Sequence, residues 1–123
     1  MDDGYIDDES GILLGSALNC LPSLKALNLS ANRSIRSSWW PTFLSQLSQT
    51  SIESLDIGDN YIEDDGLLMV TNIGSLKSLD LRNMRFSSPR GWQSFIIALQ
   101  RRGTQLVRLD LSYNAFAMKV LLI

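Results

Sequence analysis

The chain has 123 residues, of which 45% are hydrophobic and 20% charged, with a net charge of −2. That is one domain's worth of globular composition, which excludes intrinsic disorder and collagen-like structure. A single Cys and no His exclude an internal disulfide, a structural zinc site of the Cys/His kind and a His-based catalytic triad.

The first residues are acidic, with Asp2, Asp3, Asp7, Asp8 and Glu9 where a secretory signal would be basic. No apolar run approaches the ~20 residues of a membrane span. A free thiol without a signal favours a reducing compartment, so an intracellular, cytoplasmic setting is expected.

Leu14, Ala17, Leu18 and Leu21 then fall at i, i+3, i+4, i+7, which predicts an amphipathic helix near 11–19. Cys20 precedes a core Leu and is expected to be a small buried hydrophobe. Leu24-x-x-Leu27-x-Leu29-x-x-Asn32 has a period-two centre, which predicts a short strand near 26–30 with one buried face. The Asn side chain can bond backbone groups in the turn that follows. Trp40, Phe43, Leu44 and Leu47 predict a helix near 39–47, with Ser38 as N-cap and Pro41 in the first turn. Trp39 is off that stripe; an exposed interface anchor and a lining of the space between neighbouring units are both open readings.

The same succession repeats. Ile52-x-x-Leu55-x-Ile57-x-x-Asn60 predicts a strand near 54–58, and Gly66, Met69, Val70 and Ile73 predict a helix near 65–72 closed by Gly74. Leu76-x-x-Leu79-x-Leu81-x-x-Met84 predicts a strand near 78–82. Trp92, Phe95, Ile96 and Leu99 predict a helix near 89–101, with Ser88 as N-cap, Pro89 in the first turn and Gly103 as C-cap. Leu106-x-x-Leu109-x-Leu111-x-x-Asn114 predicts a strand near 108–112. The helical stripes begin at 14, 40, 66 and 92, a constant step of 26, and such self-similarity is the mark of a repeat architecture.

These four units resemble leucine-rich repeats, and their helix-bearing length resembles the ribonuclease-inhibitor-like subfamily. The resemblance covers nearly the whole chain. It implies an α/β solenoid, a right-handed β/α superhelix with parallel strands on the concave face and helices on the convex face. Met84 departs from the pattern by replacing the turn Asn, which predicts a looser bend there. Asn32 departs by an extra residue before Ile35.

Residues 1–123 are therefore expected to form a single domain of about four repeats. Asp3 to Asp8 line up with Asp59 to Asp64 without a strand before them, and no helical pattern follows Phe116. A fragment of a longer array is expected. The acidic start as a crude cap and self-association through open repeat ends are the other readings.

In a strand of the form x-Leu-x-Leu-x, the x residues point away from the core. Stacked, they give columns of Ala26, Ser54, Ser78, Arg108; of Asn28, Asp56, Asp80, Asp110; and of Ser30, Gly58, Arg82, Ser112, with Ala31, Asp59, Asn83 and Tyr113 next. The candidate partner-binding residues on this concave face are Asn28, Asp56, Asp59, Asp80, Arg82, Arg108, Asp110 and Tyr113. A carboxylate row can attract Lys or Arg from a protein partner, hold a cation, or lie solvated with no ligand. Residues 1–65 carry net −8 and residues 66–123 net +6, an asymmetry that suits an acidic partner or head-to-tail pairing of chains. No basic run interleaved with aromatics suits single-stranded nucleic acid, so nucleic-acid binding is not expected. No nucleophile–base pair or phosphate loop is legible, so neither catalysis nor a cofactor or metal is expected. The function expected is protein recognition on a rigid curved scaffold. Regulation of an enzyme, as in GTPase-activating-type or ubiquitin-ligase adaptor repeat proteins, and a purely structural spacer are the alternatives.

Overall fold

The structure, a computed structural model, describes residues 8–84, 87–102 and 105–114. Four strands, β1 (Ala26–Asn28), β2 (Ser54–Asp56), β3 (Ser78–Asp80) and β4 (Arg108–Asp110), alternate with four α-helices. The helices are α1 (Asp8–Leu18), α2 (Trp39–Gln46), α3 (Asp64–Met69) and α4 (Pro89–Arg102). Single 3₁₀ turns extend α2 over Leu47–Gln49 and α3 over Val70–Asn72.

All strands are parallel and in the order β1-β2-β3-β4. Leu27, Leu55, Leu79 and Leu109 lie in one register, so equal positions of successive units are neighbours. This is an α/β repeat fold. Its core is continuous from Leu18 to Leu99, with Trp40, Phe43, Leu44, Leu55, Leu79 and Phe95 almost wholly removed from water. Burial is deepest in the middle: Leu55 and Leu79 are buried, while Leu27 and Leu109 on the outer strands are only partly buried.

The strands are three residues long, where the alternation suggests five. They stop because each chain turns left-handed three residues past the last strand position: Ala31, Asp59, Asn83 and Tyr113 have φ of 59, 58, 50 and 60°. A left-handed L-residue costs roughly 1 kcal/mol, so something must hold these bends. Asn60 does so in the second unit. It is 0% exposed. Its amide donates to the carbonyls of Leu29, Ile57 and Gly58 at 2.9–3.1 Å, and its Oδ1 accepts the Asn32 N–H at 2.9 Å. Asn114 repeats this on Leu81, Leu111 and the Met84 N–H. Met84 has no amide to extend the ladder. There the link moves one residue back, and the Asn83 amide donates to Asp59 Oδ1.

Other expectations need correction. The buried face of α1 is Gly11, Gly15 and Leu18, not the Leu14–Leu21 stripe; Leu14 is 38% and Leu21 52% exposed. The reason is close packing. A Cβ on Gly11 would stand 3.1 Å from the Trp39 indole nitrogen, and one on Gly15 would collide with Gln46 Cβ. Trp39 is buried rather than an exposed anchor: it stacks on Phe43 with ring centroids 4.7 Å apart, and its N–H donates to Ser10 Oγ at 3.0 Å. Cys20 is exposed, because α1 has ended before it. Ser38 occupies the N-cap of α2 in a helical conformation and makes no capping bond with its side chain, whereas Ser88 Oγ accepts the Gly91 N–H at 3.0 Å as a cap should. Gly74 has no left-handed φ and open space about its Cα, so the α3 segment ends without a glycine cap. Gly103 lies outside the described residues.

Candidate functional site

The candidate residues lie on four adjoining rows across the strands and the turns that follow them. Asn28, Asp56, Asp80 and Asp110 are neighbours in register. Each also closes its own turn: their Oδ1 atoms accept the N–H of Ser30, Gly58, Arg82 and Ser112 at 2.9–3.1 Å. The row is thus built first by local backbone demand, since Asx side chains bond the backbone two residues on. The second oxygens of Asp56, Asp80 and Asp110 remain for chemistry.

Arg82 takes two of them. Its guanidinium lies 3.3 Å from Asp80 Oδ2 and 3.9 Å from Asp56 Oδ2. Gly58 makes this possible: a Cβ there would press on Arg82 Cγ at 2.9 Å. The arginine stem lies across the glycine and reaches back to the carboxylate of the preceding unit.

Three carboxylates differ in their environment. Burial pushes Asp80 above the ordinary carboxylate range, against the Arg82 backbone N–H, and the Asp56 charge adds to the rise. The Ser112 hydroxyl and backbone N–H hold Asp110 below that range. The Asn83 amide, with help from Arg33, does the same for Asp59. Asp59 sits on the turn row, 3.3 Å from the Arg33 guanidinium.

Exposure sorts the candidates. Tyr113 is 83% exposed, and Arg108 and Asn28 are open to solvent. Asp56, Asp59, Asp110 and Arg82 are half-buried, and Asp80 is buried. The face therefore offers an acidic floor with Arg82 set into it, and Arg108 and Tyr113 standing up at the β4 end. Among the described residues no group of His, Cys, Asp and Glu is placed to hold a metal ion. No helix among them is long and apolar enough to cross a membrane.

Two ties escape a reading of apolar periodicity. Glu53 lies between Lys25 and Lys77, at 3.9 and 3.8 Å, along the strand starts. Reading down the position two residues before the first Leu of each strand, Lys25, Glu53 and Lys77, shows the alternation of sign. Asp64 joins two helix starts: its carboxylate accepts the N–H and the hydroxyl of Ser88 at 2.7 and 2.6 Å. Gly91 leaves room for it, since a Cβ there would overlap the carboxylate.

A family model described as leucine-rich repeat matches residues 48–70, the segment running through β2, its turn and α3. The match supports a leucine-rich repeat protein, in agreement with the parallel sheet and its register. Leucine-rich repeats generally serve as protein-interaction modules and are typically not enzymes. No curated protein matches the chain.

Proposed function

We propose that the chain is a protein–protein interaction module that binds a protein partner on its strand face, read as the concave side of a ribonuclease-inhibitor-like solenoid. The observation that carries this reading is the convergence of Asp56, Asp80, Arg82, Arg108, Asp110 and Tyr113 on one face without entering the core. Tyr113 and Arg108 are the anchors: large exposed Tyr and Arg side chains supply much of the energy of interfaces. Asn28, Asp56, Asp59 and Asp110 set the approach and the choice of partner, with a preference for basic side chains. Asp80 and Arg82 act as the fixed floor. The exposed thiol of Cys20 suits a reducing, intracellular setting.

The test is binding to a partner recovered by affinity capture from source lysate. Tyr113→Ala and Arg108→Ala should each weaken binding by about 1–3 kcal/mol, mainly through faster dissociation. Asp56→Asn should slow association, and the effect should shrink in high salt. Wild-type binding by all three, with loss on charge reversal at Arg101 and Arg102, would move the partner to the helix ends and defeat the proposal.

A further inference from the structure

The segment that returns each helix to the next strand differs in length between units. Ile73 stands three residues before Leu76, and the matching Leu99 stands seven before Leu106. The added length lets α4 run on past Leu99 to Arg102, while the third unit stops in the single 3₁₀ turn Val70–Asn72. These two helical walls are unequal and do not close on each other. A cavity of about 160 Å³ remains between the Val70–Asn72 turn, α4 and the start of β3.

The walls of this cavity are apolar and its mouth is polar. Val70, Ile73, Leu76, Leu79 and Leu99 line it, each of them 7% exposed or less. Arg102 and Gln105 also line it, and both are exposed, so they stand where the cavity meets water. The Arg102 guanidinium donates to Asn72 Oδ1 at 3.4 Å. Most of its N–H groups stay available to another acceptor, and no carboxylate among the described residues pairs with it.

The preceding junction shows what is missing here. Ser75 Oγ donates to the Ile52 carbonyl at 2.6 Å and ties the third unit to the second. Gln105 holds the Ser75 position in the fourth unit, and Leu76 the Ile52 position in the third. Among the described residues no side chain donates to the Leu76 carbonyl. It remains an acceptor beside the cavity.

These features define a chemistry. An apolar cavity of about 150 Å³ takes a benzene-sized group, and a branched side chain of four carbons fits the same space. A guanidinium binds a carboxylate through parallel N–H donors. A carbonyl without a partner takes an N–H. We infer that this cavity binds a carboxylate with a branched apolar group and an amide N–H on the adjoining carbon, which is the chemistry of a peptide ending in leucine or isoleucine. Arg102 holds the carboxylate, Val70, Leu79 and Leu99 surround the side chain, and the Leu76 carbonyl accepts the N–H. Capture of a C-terminal carboxylate is a recurring mode of peptide recognition. Both walls of the site belong to neighbouring units of this chain, on the helix side of the sheet. It is therefore separate from the strand face, and neither proposal depends on the other.

The test is a titration of the methyl-labelled 123-residue chain with N-acetyl-leucine, followed by NMR. The methyl signals of Val70, Leu79 and Leu99 should shift and saturate while those of Leu27 and Leu29 stay in place, with a dissociation constant of about 1 mM for so small a probe. N-acetyl-leucinamide keeps the side chain and loses the charge, so it should bind about tenfold more weakly. Isocaproate lacks the N–H and should bind about threefold more weakly. Arg102→Gln should weaken N-acetyl-leucine about fivefold or more, whereas Arg101→Gln, outside the cavity lining, should change it by less than about twofold. Both arginines are exposed, and the methyl spectra of the free variants confirm that they fold. The absence of saturable shifts at about 10 mM, equal binding of the amide, or equal losses in the two arginine variants overturns the inference. Isocaproate that binds as tightly as N-acetyl-leucine overturns the peptide terminus as the ligand.

Discussion

Removing the Asn60 side chain should be among the costliest polar changes in the molecule. Asn60→Ala orphans the Asn32 N–H and withdraws the amide from the carbonyls of Leu29, Ile57 and Gly58. The Gly58 carbonyl keeps the Ala31 N–H at 2.9 Å and the Leu29 carbonyl keeps the Asn32 amide at 2.8 Å, so two groups, the Asn32 N–H and the Ile57 carbonyl, lose a partner that no other bond among the described residues replaces. At roughly 1 kcal/mol each in a site closed to water, the loss is about 2 kcal/mol before any relaxation of the turn. Small domains are stable by only about 5–15 kcal/mol. The Asp59 bend beside it, at φ 58°, loses its brace as well. Asn32→Ala is the internal control. Asn32 is half-buried, and its amide donates to the Leu29 and Ser30 carbonyls, so it should cost about 1 kcal/mol. Urea denaturation followed by tryptophan fluorescence gives both numbers. Equal and small losses for the two variants would refute the ladder as the brace of the turns.

Trp92→Ala should cost about 3–5 kcal/mol, read by the same denaturation, because Trp92 is 2% exposed and packs edge-on against Phe95. Gly91→Ala should destabilise by about 1–3 kcal/mol by displacing the Asp64 carboxylate from Ser88, while Gly74→Ala, in open space, should be neutral or slightly stabilising in a melting experiment. The pH dependence has two opposite signs. Asp59 and Asp110 are lowered from 3.8, so their contribution is present above that value and lost as pH falls through their folded pKa. Asp80 is raised from 3.8, so folding stability from this group falls as pH rises from 3.8 to its folded pKa. Asp80→Asn should therefore be neutral or stabilising at pH 7, and any gain should vanish at acid pH; a loss at pH 7 that persists in acid would show that Arg82 pairing outweighs burial.

The alternation in Leu27-x-Leu29 and its three counterparts made the strands, their register and the columns on the strand face legible, because period two leaves a side chain only two faces to choose from. The Asx row was legible as a column of acids. Its role in closing each turn was not, since that depends on φ/ψ at Ala31, Asp59, Asn83 and Tyr113 rather than on residue type. The first helix misled for a similar reason. Leu14 and Leu21 look like core, but Gly11 and Gly15 win the inner face because two helices approach more closely there than a Cβ allows. Cys20 is misplaced by its position relative to the apolar stripe, and Trp39, off that stripe, stays open to two readings in the sequence. What decided them was the stacking of neighbouring units, which a single period does not contain. Arg82 was legible as exposed and basic; its seat over Gly58 requires the two units to be side by side.

The most direct test of the stacked register is a set of interstrand contacts in solution. In NMR spectra of the labelled chain, backbone nuclear Overhauser effects should link Leu27 to Leu55, Leu55 to Leu79 and Leu79 to Leu109 in the pattern of parallel strands. The Asn60 side-chain amide should exchange slowly and show contacts to both Leu29 and Ile57. Antiparallel contacts, a register shifted by one residue, or a rapidly exchanging Asn60 amide would contradict the account, because the rows on the strand face would then not exist.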